Sequence, residues 1–260
     1  MLNISMDTPS DPSPDNSAGR VPGSARIFQA LKRHPLRTLA AIAACWFTYE
    51  IASLPFGDVT ALRHRNPSET AFMKLHAETA RDNNRPFRKH HEWVPLKEIP
   101  PDLINAVVVA EDGTFWRHGG FDWYELKESI VRNLSSGRAV RGASTISQQL
   151  VKNLYLSPSK NPVRKIREWV LTWWLERNLV KARILELYLN VVELGDGVYG
   201  VGAASRIYFG KPVSELSREE AVRLAAIIPR PRHFRPNDFA SRYVSRRAEL
   251  ILQRMAARGM

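Results

Sequence analysis

Asp102-Leu103-Ile104-Asn105-Ala106-Val107-Val108-Val109-Ala110-Glu111-Asp112-Gly113 reads as one short helix that ends on acids. Ile104, Val107, Val108 and Glu111 fall at i, i+3, i+4 and i+7, so the spacing sets Glu111 on the apolar stripe. A carboxylate on a core-facing stripe is desolvated. That raises its pKa toward the range useful for general acid–base work. The helix must stop here, because Gly113 follows and His118-Gly119-Gly120 makes a turn. The bland alternative is an acid that swings to solvent at a helix end.

Two segments downstream extend this reading. In Arg141-Gly142-Ala143-Ser144-Thr145-Ile146-Ser147-Gln148-Gln149-Leu150-Val151-Lys152-Asn153, Ser144 or Thr145 can cap the following helix. Ser144, Gln148 and Lys152 share a face, with Gln149 beside them. Amides and an ammonium near a helix N-terminus suit sugar hydroxyls and a phosphate, although such a face is commonly just solvated. The other segment runs from Lys160 through Arg164, Lys165, Arg167 and Glu168 into Trp169-Val170-Leu171-Thr172-Trp173-Trp174-Leu175. Six apolar residues in seven predict a helix buried all round, with Glu168 at its entry. Glu111 and Glu168 could face one another across a cleft, as paired carboxylates do in sugar chemistry. Equally, Arg164 and Glu168 could be a plain helix ion pair.

The rest of the chain frames these segments. Its 260 residues include 38 Lys plus Arg and 26 Asp plus Glu, and 44% are hydrophobic. This composition excludes a wholly disordered, collagenous or multi-span membrane protein. The single cysteine, Cys45, excludes an internal disulfide framework and a Cys-based zinc site. Only 5 of the basic and 4 of the acidic residues precede Asp58, so 33 basic against 22 acidic residues remain from Asp58 onward. A folded domain so basic is expected to meet an anionic partner. Residues 1–25 are rich in Ser, Pro, Asp and Asn and read as a disordered tail. Thr38 to Phe56 is apolar except for Glu50, and the expectation is one transmembrane helix over 36–56. Arg26, Lys32, Arg33 and Arg37 precede it, which keeps the tail cytoplasmic and exports the remainder. Helices are expected at 102–112, 123–134, 144–154, 163–178, 181–192, 198–208 and 218–228, after an extended lead-in at 94–101, so the domain at 71–250 is mainly α.

Taken together, the segments resemble the glycosyltransferase domain of peptidoglycan polymerases. Bifunctional penicillin-binding proteins and monofunctional transglycosylases share that family. Glu111 to Asp122 is similar to its first motif, Glu-Asp-x-x-Phe-x-x-His-x-Gly, and Gly142 to Leu156 to its second, Gly-x-Ser-Thr-x-x-Gln-Gln-x-x-Lys-Asn-Leu. Arg164-Lys165-Ile166-Arg167-Glu168 resembles the third motif, Ile184 to Asn190 with Tyr199-Gly200 the fourth, and Leu224 to Pro231 the fifth. The likeness covers about residues 90–245, and no transpeptidase domain follows, which favours the monofunctional form.

The resemblance implies a lysozyme-like α fold behind the transmembrane helix, and polymerisation of lipid II into β-1,4-linked glycan with release of undecaprenyl pyrophosphate. Glu111 would be the catalytic base and Glu168 a second catalytic residue, on the pyrophosphate side and ordering the basic cluster. Asp112, Phe115, His118, Ser144, Thr145, Gln148, Gln149, Lys152, Asn153, Lys160, Arg164 and Lys165 would bind substrate, Asp112 and His118 chiefly by holding the Glu111 loop. A divalent cation, Mg or Mn, would assist at Glu168, with no organic cofactor. Expected partners are lipid II, the nascent glycan strand, lipids of the cell inner membrane and other cell-wall or division proteins, and no nucleic acid. Trp123, Leu126, Ile130 and Leu134 form an amphipathic stretch able to enter the membrane interface or, equally, to be an ordinary core-facing stripe. Two rivals are a peptidoglycan-cleaving enzyme and a non-catalytic binder of nucleic acid or anionic lipid. The former has no need of a cation cluster for pyrophosphate, and the latter does not explain Glu111 on an apolar stripe.

Overall fold

Residue 52 divides the chain into two compact units. The computed structural model describes residues 34–136, 144–158 and 161–260. The tail at 1–25, Gly142 and Lys160 lie outside the described residues.

In the first unit, α1 (Pro35–Ala52) opens on proline, whose fixed φ suits a first helical turn. Its 18 residues span about 27 Å. Leu36, Leu39, Ile42, Trp46 and Phe47 are all exposed. Within Pro35–Ala61 an 18-residue window reaches a mean hydropathy of 1.4, the one such helix among the described residues. A helix apolar on every side is compatible with a single-pass anchor. It ends at Ala52, short of Phe56.

The last residues of the apolar run belong to the second unit. Leu54 is buried there, and Phe56 opens α2 (Phe56–Ala61) and meets Trp174 edge-to-face at 5.2 Å. Then follow α3 (Ala71–Asp82), β1 (His90–His91), α4 (Pro101–Glu111), α5 (Trp123–Ser136), α6 (Ile146–Tyr155), α7 (Pro162–Asn178) and α8 (Lys181–Val191). Next come β2 (Glu193–Gly195), β3 (Val198–Tyr199), α9 (Val201–Phe209), α10 (Arg218–Ile227) and α11 (Arg242–Ala256). The domain is mainly α, as its sequence leads one to expect.

Two packed groups make its core: α4 lies against α10 and α11, and α6 lies against α7 and α8. In α4 the buried residues are Leu103, Ala106, Val107, Val108 and Val109, so more than one stripe is covered. In α8 Ile184, Leu185, Leu187, Tyr188 and Leu189 are fully buried. Asn190, also buried, clamps the lead-in strand. Its amide donates to the Val94 carbonyl at 2.8 Å and accepts from the Val94 N–H at 2.7 Å. That lead-in is not extended throughout, because Leu96–Glu98 forms one 3₁₀ turn.

Three sequence expectations are corrected. A small sheet exists, with order β1-β3-β2, β1 parallel and β2 antiparallel to β3. Strands of two or three residues are too short to show alternation. Consequently α9 begins at Val201 rather than Val198. Gly200 intervenes at φ +78°, and a Cβ there would meet the Asn190 carbonyl oxygen at 2.5 Å. Second, α7 is not buried all round. It buries Glu168, Leu171, Thr172 and Leu175 and exposes Trp169 (41%) and Trp173 (46%). Third, α11 was not anticipated, although Val244, Ala248, Ile251 and Met255 recur at helical spacing and form its buried face.

Candidate active site

Glu111 is the last residue of α4 and projects into a cleft of about 710 Å³. Thr114, Glu125, Ser144, Gln149, Arg254 and Arg258 also line it. One Glu111 oxygen accepts a hydrogen bond from the Gln149 amide at 3.0 Å; the other lies 3.3 Å from the Arg247 guanidinium. Burial pushes the Glu111 carboxyl above its ordinary value, while Gln149, Arg247 and Lys152 pull the other way. The result is a carboxylate at the floor of a cleft with raised proton affinity, suited to a general base.

The loop behind Glu111 is held by Asp112. Its carboxylate accepts from the Ile146 N–H at 2.9 Å, an orphan donor of the first turn of α6. It also meets His118 Nε2 at 2.9 Å. Because the Gly120 N–H donates to His118 Nδ1 at 3.1 Å, the ring proton sits on Nε2 and is donated to Asp112. Thr145 and Gln148 form a reciprocal capping box at the start of α6, and the Thr145 hydroxyl donates to the Gly120 carbonyl at 2.7 Å. Asp112, His118, Thr145 and Gln148 are therefore committed to one another and to the backbone.

Phe115 requires a correction: it is fully buried, with the Lys181 ammonium 4.4 Å above its ring, and no substrate can reach it. Ser144 is exposed on the cleft wall. Asn153 is partly exposed on α6. Gln149 lines the cleft, but both ends of its amide are engaged, since its carbonyl accepts from the Tyr188 hydroxyl at 3.0 Å.

A second group surrounds Lys152. Burial lowers the pKa of its ammonium, Glu168 opposes that, and Arg164, Lys165 and Glu111 also act on it. Lys152 thus lies within electrostatic reach of both glutamates. Glu168 accepts from Arg164 at 2.6 Å and from the Lys165 ammonium. Its buried carboxylate thereby gathers cations on one side of α7. Each of its oxygens is taken by one of these cations. Among the described residues no group of three or more His, Cys, Asp or Glu could hold a metal ion. This donor set does not fit a divalent cation at Glu168.

Arg247 and Tyr188 escaped the sequence reading. Tyr188 lies inside the fourth motif, and its apolar surroundings there hide its polar use. Arg247 had no signal beyond the unnoticed α11 stripe, which places its helix against α4.

A mainly helical domain with a largely buried glutamate in a cleft lined by arginines suits chemistry on sugars. A family model described as "Transglycosylase" matches residues 78–256. Three proteins named biosynthetic peptidoglycan transglycosylase are similar over most of the chain. That of Nitrosospira multiformis is 43% identical over 202 residues, covering 78% of this chain and 87% of the relative. That of Azoarcus sp. is 45% identical, covering 77% and 86%, and that of Chromobacterium violaceum is 40% identical, covering 87% and 98%. The chain belongs to the transglycosylase family, among the biosynthetic peptidoglycan transglycosylases.

Proposed function

We propose that this enzyme polymerises lipid II into β-1,4-linked glycan strands at the outer face of the cell inner membrane. The observation that carries this reading is the Glu111 carboxylate, buried at the cleft floor with Gln149 and Arg247 on its two oxygens. Glu111 takes the proton from the 4-hydroxyl of the acceptor GlcNAc. The freed oxygen attacks C1 of the donor MurNAc. The C1–phosphate bond breaks from the opposite face, and its electrons leave with undecaprenyl pyrophosphate. One displacement converts the α-linkage into a β-linkage, with no covalent enzyme intermediate.

The leaving group gains negative charge as the bond breaks, so cations preset at that position lower the barrier. Lys152, Arg164 and Lys165 fill this role, and Lys160 joins them by the family resemblance. Glu168 orders Arg164 and Lys165 by accepting from both. No step runs through a metal at Glu168. The α1 helix supports a single-pass anchor, and the basic residues preceding it favour a cytoplasmic N-terminus. A lipid-linked substrate makes such an anchor useful, since it keeps the domain at the bilayer surface.

The test is polymerisation of labelled lipid II by the purified full chain in detergent, wild type beside Glu111→Gln. Glycan ladders from wild type that disappear in the folded variant are expected. Untouched lipid II together with degradation of finished glycan would replace polymerisation by cleavage.

A further inference from the structure

We propose that Tyr188 and Gln149 are positioning residues, a one-way hydrogen-bond relay that sets the proton affinity of Glu111. This inference rests on Glu111 being the base. The Tyr188 hydroxyl donates to the Gln149 carbonyl at 3.0 Å, and the Gln149 amide nitrogen donates to the Glu111 carboxylate at 3.0 Å. The three side chains come from α8, α6 and the end of α4, so only the packed domain assembles them.

The direction of the relay is the point. A primary amide has two ends of nearly equal shape, one donating and one accepting. If it turned over, its oxygen would face the carboxylate and disfavour the ionised form that must receive a proton. A phenol donates better than it accepts, because its lone pair is drawn into the ring. Tyr188 is wholly buried and burial pushes its pKa well up, so it keeps its proton and remains a donor. It therefore holds the amide with the nitrogen toward Glu111.

The other charges near Glu111 are not interchangeable with this relay. Arg247 from α11 and Lys152 from α6 favour the carboxylate, and Asp112 disfavours it. Glu125, Arg254 and Arg258 stand on the cleft wall. From α10, which also packs on α4, buried Arg223 turns away to the Pro236 and Asp238 carbonyls at 2.7 and 2.6 Å. Gln149 donates to one Glu111 oxygen at 3.0 Å, and Arg247 reaches the other at a longer 3.3 Å.

The experiment is the pH–rate profile of lipid II polymerisation by the full chain at saturating substrate. Wild type, Tyr188→Phe, Gln149→Met and the double variant are compared. Losing a donor to the carboxylate raises its pKa, so the acid limb should move up by about 1 pH unit in Gln149→Met. A smaller upward shift is expected in Tyr188→Phe. The double variant should shift no further than Gln149→Met, because Tyr188 acts only through Gln149. An unmoved limb in Gln149→Met, or shifts that add in the double variant, would overturn the relay. Should Tyr188→Phe fail to fold, Gln149→Met still decides against the relay if its limb stays put. Glu111→Gln run alongside separates the two claims. Full activity in that variant removes the base and the relay together, whereas loss of activity with unmoved limbs elsewhere removes the relay alone.

Discussion

The Asp112 carboxylate accepts a 2.9 Å hydrogen bond from the backbone N–H of Ile146, joining the end of α4 to the first turn of α6. This bond sets the residue after Glu111 against the helix that carries Gln149 and Lys152. The relative position of Glu111 and Lys152 therefore depends on one buried carboxylate.

Replacing Asp112 by Ala should both destabilise the domain and silence it. The Ile146 N–H and the His118 Nε2–H would lose their acceptor inside the protein. Stranding buried donors of this kind costs on the order of 3 kcal/mol. Chemical denaturation should report that loss, and glycan synthesis should fall even where the variant is fully folded.

At Arg247 the charge lowers the Glu111 pKa from 3.3 Å away. Arg247→Met should let that pKa rise further, moving the acid limb of the polymerisation profile to higher pH. Arg247→Lys, which keeps the charge, should move it less. Equal shifts in the two variants would refute the electrostatic account.

Glu168 raises the pKa of Lys152, opposing the lowering by burial. In Glu168→Gln that support is gone, so Lys152 loses its proton at lower pH. The alkaline limb of activity should then move down, and the KM for lipid II should rise as Arg164 and Lys165 lose the shared negative charge and one of its two acceptor oxygens. An unchanged alkaline limb would show that Glu168 does not act on Lys152.

Away from the cleft, His76 gives a stability prediction. Burial and Arg232 lower its pKa from 6.5 to about 4. The neutral ring accepts the Tyr199 hydroxyl's hydrogen bond at 2.8 Å, so its 3.5 Å approach to Glu193 is not an ion pair. The unfolded chain binds this proton more readily than the folded one. Its contribution to stability is therefore complete above pH 6.5 and declines as pH falls toward 4. Unfolding free energies from pH 7 to 4 should fall less steeply in His76→Gln than in wild type.

Much of the site is legible in a single pass along the chain, because its signals are local. Glu111 shows itself by its place on an apolar stripe. Thr145 and Gln148 carry the spacing of a capping box, and Arg164, Lys165 and Glu168 are one helical turn apart. Phe115 illustrates the limit of such reading. Its place in a motif with Glu111 suggests a substrate contact, yet the fold buries it beneath Lys181. Similarly, the tryptophans of α7 look like core residues from composition, but Leu171 and Leu175 take the inner face and Trp169 and Trp173 the outer. Periodicity gives the angle between side chains; it does not say which face meets the neighbouring helix when both are apolar.

Sequence by itself determined the helical class, the apolar segment, the place of Glu111 on an apolar stripe and the basic cluster, since each depends on residues within a few turns of one another. Tertiary structure alone decided what touches Glu111. Gln149 lies 38 residues from it, Arg247 lies 136 away, and Tyr188 acts from a third helix through Gln149. The physical reason is that a hydrogen bond needs an approach of about 3 Å. Only the packed domain, with α11 against α4 and α8 against α6, brings donors so distant in the chain that close to one carboxylate.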